Sequence, residues 1–261
     1  MLLRSQNEGI GIMATQAEPQ AASNRPRKKP ASPFGGSIPI GVIGLVAAII
    51  GFLPTFFSRL AKVDAIHLTH GWTMTGWIVL VLVQATLIRS RLYKYHRFLG
   101  WCSLALFAAM VITSCQVLVL MLSGKSGLPF EAAKFFGYSD IVDMPLLLFS
   151  FGAAIYWRKD RHMHSRLMAV TVLTSIVPAL ARMFNILVWR SFEGLYHAMH
   201  PTYLLILGVL GFAILSDRKI GRLSWPLPLA FGWFSLAYAT QWPMMNAHWY
   251  DALTRYLGSL A

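Results

Sequence analysis

Long apolar runs, nearly free of charge, alternate with short polar segments along this chain. The runs fall at about 37–57, 70–88, 98–122, 141–157, 166–189, 202–216 and 225–242. A helix of about 20 apolar residues crosses a hydrocarbon layer, and in lipid each such segment has to satisfy its own backbone hydrogen bonds. The pattern therefore predicts an all-α, polytopic transmembrane helical bundle with seven spans. The sixth run is short and reaches across only by borrowing Ala198 to Thr202. The seventh carries Pro226 and Pro228 near its start.

Outside the runs, residues 1–36 form a polar, basic tail containing RPRKKPASP, read as disordered and cytoplasmic. Residues 37–242 are the transmembrane helical domain. Residues 243–261, in the stretch WPMMNAHWYDALTRYLGSL that begins at Trp242, mix aromatic and leucine residues with sparse charge and predict an amphipathic interfacial segment. The segment LPFEAAKFF, before the fourth run, predicts a short interfacial helix.

One run departs from simple apolarity. Between His162 and Trp189, the residues His164, Thr171, Thr174, Ser175, Pro178, Arg182 and Asn185 share one side at about 100° per residue. An arginine inside a span is costly unless it meets protein, water or a counter-charge. This helix is expected to face the centre of the bundle.

Composition agrees with the pattern: 56% of the 261 residues are hydrophobic and only 13% charged, about half the usual share for a soluble domain. The net charge of +13 does not indicate nucleic acid, because the basic residues sit in short segments between the runs. Segments 89–97, 158–166 and 217–224 hold four, four and three Lys or Arg, and the alternate segments hold two or fewer. That bias places the N-terminus and those basic segments on the cytoplasmic side of a bacterial inner membrane. Cys102 and Cys115 lie 13 residues apart in one run, too far along a helix to form a disulfide.

The histidines divide by side. His96 and His164 open the third and fifth spans from the inner face, so imidazoles from two helices can supply both axial ligands of a b-type haem. Arg97 and Arg166 are then placed for its propionates. On the outer side, His67 with His70 and His197 with His200 form i,i+3 pairs, a spacing that suits zinc or iron if the pairs converge. Each group can equally be interfacial histidines that only orient loops. Asp143 and Arg182 enter neighbouring spans at similar depth, which predicts an ion pair that lowers the cost of burying either charge. Asn185 and Gln84 are candidates to join that network, as is Gln116.

The words THGW, HRFLG and HMHSRLMAVTVLTSIVPALAR also resemble, as a set, a group of uncharacterised bacterial multi-spanning membrane proteins with an HG / HR-LG / H-RLM pattern. The matching positions are His70, Gly71, Gln84, His96, Arg97, Leu99, Gly100, His164, Arg166, Leu167, Met168, Pro178 and Arg182, spanning about half the chain. That group brings no activity with it. A looser similarity is to cytochrome b561-like proteins, which pair histidines across adjacent helices around haem. This chain departs from them in lacking a second deep histidine pair.

The expected function is thus redox-related, with a b-type haem or quinone site. Two alternatives stay open: a non-enzymatic subunit that packs against partner proteins of a larger membrane complex, and a metal-dependent hydrolase at the outer histidines. The lipid bilayer is the expected partner in every case.

Overall fold

The computed structural model describes residues 38–261, and the basic tail lies outside the described residues. Nine α-helices carry the described chain, so the all-α expectation holds. They are α1 (Ile38–Phe52), α2 (Ala65–Arg89), α3 (Tyr93–Leu122), α4 (Phe130–Tyr156), α5 (Arg161–Ser175), α6 (Val177–Phe184), α7 (Gly194–Lys219), α8 (Pro226–Met244) and α9 (His248–Gly258). Wider π-helical turns extend α1 over Leu53–Phe57 and α6 over Asn185–Trp189.

Five helices are long and apolar enough to cross a membrane: α1 with its extension, α2, α3, α4 and α7. Counting α5 and α6 as one bent span makes six. The uncharged α8 is not among them, because prolines at both ends and Gln241 dilute its apolar residues. Connections 90–92, 157–160 and 220–225 share one end of the bundle, called the basic end here. The turns at 58–64, 123–129 and 190–193 share the far end.

Local sequence explains several helix starts. Asp64 caps α2 by accepting from the backbone N–H groups of Ile66 and His67, and Asp160 caps α5 by accepting from those of His162 and Met163. Both satisfy donors that a helix N-terminus otherwise leaves free.

The segment with the polar stripe occupies the centre. α5 packs against α4, α8, α1 and α2, while α6 packs against α1 and α7. Burial goes all round: Val172 and Val177 are as enclosed as Thr171. The stripe therefore does not mark the single inward face of the helix. The hydroxyls of Thr174 and Ser175 instead donate back to the carbonyl of Thr171. Pro178 supplies no N–H and its ring crowds the carbonyl one turn earlier, and the segment bends by 48° between α5 and α6. Gly51 of α1 lies against the backbone carbonyl of Ala179, so closely that any Cβ there collides with it.

One boundary differs from expectation. The segment LPFEAAKFF is not a separate surface helix: from Phe130 it forms the first turns of α4, with Ala132, Ala133 and Phe135 buried. The ammonium of the buried Lys134 is held by Glu131 at 2.8 Å and Asp251 at 3.2 Å. The latter contact ties α9 across the far end, where the Tyr250 hydroxyl also donates to the Lys134 carbonyl at 2.8 Å.

Candidate functional site

At the basic end, α2, α3, α4 and α5 enclose an open cavity of about 1060 Å³. Leu80, Val81, Ile88, Leu104, Phe151 and Ile155 form its apolar wall. Arg97, Arg158, Lys159, Arg161 and Arg222 bring positive charge to its lining. His96 and His164 both line it, as the shared end of α3 and α5 requires.

The two imidazole rings stand 6.4 Å apart, centre to centre, with planes at 84°. His164 Nδ1 lies 2.8 Å from the carbonyl of Ala154, and His96 Nδ1 makes a longer contact of 3.4 Å with the carbonyl of Gln84. A carbonyl only accepts, so in both rings Nδ1 carries the proton. In a neutral ring this leaves Nε2 with a free lone pair, the arrangement by which a carbonyl orients a metal-ligating histidine. Two imidazoles on opposite sides of one metal ion, each bonded at about 2 Å, place their ring centres about 6 Å apart. The observed spacing fits.

Arg166 lies in the cavity wall, but its guanidinium is already engaged. Nε and Nη2 donate to the two carboxylate oxygens of Asp217 at 2.8 and 2.6 Å, a bidentate pair with both side chains buried. His162 Nε2 lies 3.6 Å from the same carboxylate. This pair clamps α5 to the end of α7. Sequence reading passed over Asp217 because it sits in a segment counted for its basic residues. A lone acid beside the end of an apolar run, at the same end as Arg166, is the signal that was there to use.

The expected ion pair between Asp143 and Arg182 is not formed. Neither carboxylate oxygen of Asp143 has a hydrogen-bond partner. Arg182 donates from Nη1 to the carbonyl of Pro178 at 3.2 Å and lies 4.7 Å from the ring centre of Phe52. The carboxylate that attracts it is Asp140, one turn before Asp143 on α4. One turn along α4 separates Asp140 from Asp143, enough to change which acid Arg182 interacts with. Asn185 Oδ1 is buried without a partner. Gln84 does not join this group: its side chain lines the basic-end cavity, beside the carbonyl that receives His96. Gln116 is exposed on α3.

The far-end histidines go to separate partners. His67 Nδ1 bonds Asp64 at 2.6 Å. The ring of His197 stacks on Trp189 and that of His200 on Trp242, and His200 Nδ1 lies 2.9 Å from the Tyr238 hydroxyl. His70 Nδ1 is buried without a partner. Among the described residues, no group of three or more His, Cys, Asp or Glu side chains is placed to hold a metal ion.

These features define a membrane-embedded helical bundle with a histidine-bearing cavity at one end and a polar interior at the other. The chain matches no protein-family model, no curated protein and no solved structure.

Proposed function

We propose that the protein is a multi-pass redox protein in which His96 and His164 hold a b-type haem in the basic-end cavity. One observation carries this reading: two imidazoles from different helices face one cavity at the spacing of a shared metal, each with Nδ1 tied to a main-chain carbonyl. The haem supplies one-electron chemistry when bound. The chain contributes ring orientation through the Gln84 and Ala154 carbonyls, an apolar wall for the macrocycle, and cations for its propionates. Arg97 is the sequence-expected partner for a propionate. Arg166, committed to Asp217, instead holds α5 in place so that His164 keeps its position.

The reading extends to a seven-pass topology, with α5 and α6 as one span and α8 as the last. The basic end is assigned to the cytoplasmic face of a bacterial inner membrane, on the concentration of Lys and Arg there.

The absorption spectrum of protein purified from haem-sufficient cells tests the proposal. A Soret band present in the wild type and lost in both His96→Ala and His164→Ala, with helical circular dichroism retained, is the expected result. Fully folded wild type free of chromophore overturns it, and extractable quinone in that preparation transfers the cavity to a quinone.

A second reading, a subunit of a larger membrane complex, draws on α2 and α3. α2 buries only Trp77, Ile78 and Val81 within the chain, leaving most of its apolar surface for lipid or a partner. Co-purification at fixed stoichiometry in mild detergent would support it, whereas a solitary haem-bearing monomer would remove it.

A further inference from the structure

The far half of the bundle contains polar atoms for which the fold provides no bond. Asp143 on α4 is 5% exposed with both carboxylate oxygens unpartnered, and Tyr203 on α7 is fully enclosed with its hydroxyl unpartnered. Each lies within electrostatic reach of the other. Burying an ionised carboxylate with no partner costs several kcal/mol or more, and the group neutralises instead. In a membrane span there is no bulk water to offset that cost.

The surrounding charges leave Asp143 uncompensated. On its own helix Asp140 repels it, and Tyr138 lies nearby. From α6, Arg182 interacts electrostatically with Asp140, while its guanidinium donates to the Pro178 carbonyl and lies over the Phe52 ring. From α2, His70, whose Nδ1 is buried without a partner, lies within electrostatic reach of Arg182. α3 and α5 carry their charged residues only at their basic ends, and α8 carries none. Arg182 thus interacts electrostatically with Asp140 and forms no ion pair with Asp143. The position that remains calls for a single positive charge small enough to sit against a carboxylate oxygen.

We propose that Asp143 is a proton-binding site, held as the neutral acid with the Tyr203 hydroxyl as its polar neighbour, and that it exchanges its proton with water at the far end. In the forward step the Asp143 O–H bond breaks, the proton passes to water, and the carboxylate remains. The return step re-forms the O–H bond. This site is independent of the haem reading: it lies outside the cavity and uses none of its lining residues.

Infrared difference spectroscopy of the full chain in detergent or liposomes tests the proposal. The wild type is expected to show a protonated-carboxyl C=O band that shifts on exchange into D₂O and is absent from Asp143→Asn. Asp143→Glu should retain a band at a displaced frequency, which guards against loss of signal through misfolding. Because the neutral acid and the amide are near-isosteric, Asp143→Asn should also keep the wild-type Tm, while Asp140→Asn should lower it. A wild-type spectrum indistinguishable from that of Asp143→Asn overturns the proposal. So does a carboxyl band that appears only when Na⁺ is replaced by choline, since the site then holds a metal cation.

Discussion

The two ends of the bundle solve the same problem, a buried charge, in opposite ways. At the basic end Arg166 and Asp217 form two short hydrogen bonds, each side chain satisfying the other. In the far half Asp143 has no partner for either oxygen. A closed pair is a structural clasp and has nothing left to offer a ligand. An unsatisfied group is costly, and its cost falls when something binds. The same contrast runs through the histidines. His67 is committed to Asp64 and His200 is stacked on Trp242, whereas His96 and His164 keep a ring nitrogen free beside a cavity. Chemistry is therefore to be sought where the fold leaves bonds unmade.

The contrast breaks most visibly at the clamp. Asp217→Asn leaves the buried Arg166 without its counter-charge, and the expected loss is about 3–5 kcal/mol. It should appear as a large fall in Tm in detergent, whereas Asp143→Asn changes stability by less than about 1 kcal/mol. If both variants lose stability equally, Asp143 is a paired charge and the comparison fails.

Next in size is the packing that brings α6 to α1. Gly51→Ala places a methyl group against the Ala179 carbonyl and should cost about 1–3 kcal/mol by overpacking. That shift displaces the segment bearing Arg182 while leaving His96 and His164 in place. Any Soret band should survive in this variant even as thermal stability drops. Loss of the chromophore at unchanged stability would show that the two ends are not separable.

A smaller effect is expected where α9 crosses the far end. Tyr250→Phe removes the hydrogen bond to the buried Lys134 carbonyl, at a cost of about 1 kcal/mol. Hydrogen exchange should then quicken at the first turn of α4 and remain unchanged at the basic end.

The smallest concerns an exposed charge. Hydrogen bonds from Arg255, and secondarily from Lys134, hold the Asp251 carboxyl below its ordinary value. A carboxyl whose pKa is depressed in the folded state contributes stability that is full above the unfolded-state pKa of about 4. That stability is lost as the pH falls through the folded value. Asp251→Asn should therefore lower Tm modestly at neutral pH and flatten the acid limb, the variant and wild-type profiles converging below about pH 4. A fall at neutral pH as large as that of Asp217→Asn would place Asp251 with the buried charges.

Much of the architecture was legible along the chain, and the failures have a common cause. The runs at 70–88 and 98–122 correspond to the cores of α2 and α3, since length and apolarity are local properties. The run at 141–157 is the latter part of an α4 that begins at Phe130, because Lys134 is accommodated by Asp251, a residue 117 positions away. Local polarity had no means of showing that partner. Likewise Pro178 and the hydroxyls beside it were read as an inward stripe. Packing on every side, with the hydroxyls bonded to their own helix, removes the need for one.

The amino-acid sequence alone therefore determined that this is a helical membrane bundle, which ends carry basic charge, and that His96 and His164 open helices from the same end. Apolar run length and charge placement act residue by residue and need no fold to be read. Only the tertiary structure decided who pairs with whom. It joined Arg166 to Asp217 across 51 residues, placed the Arg182 guanidinium over Phe52 instead of on Asp143, and left Asp143 with a polar neighbour in Tyr203 and no hydrogen bond. One helical turn is about 5.4 Å, longer than any hydrogen bond. Partner choice therefore depends on rotation, bend and register, which packing sets.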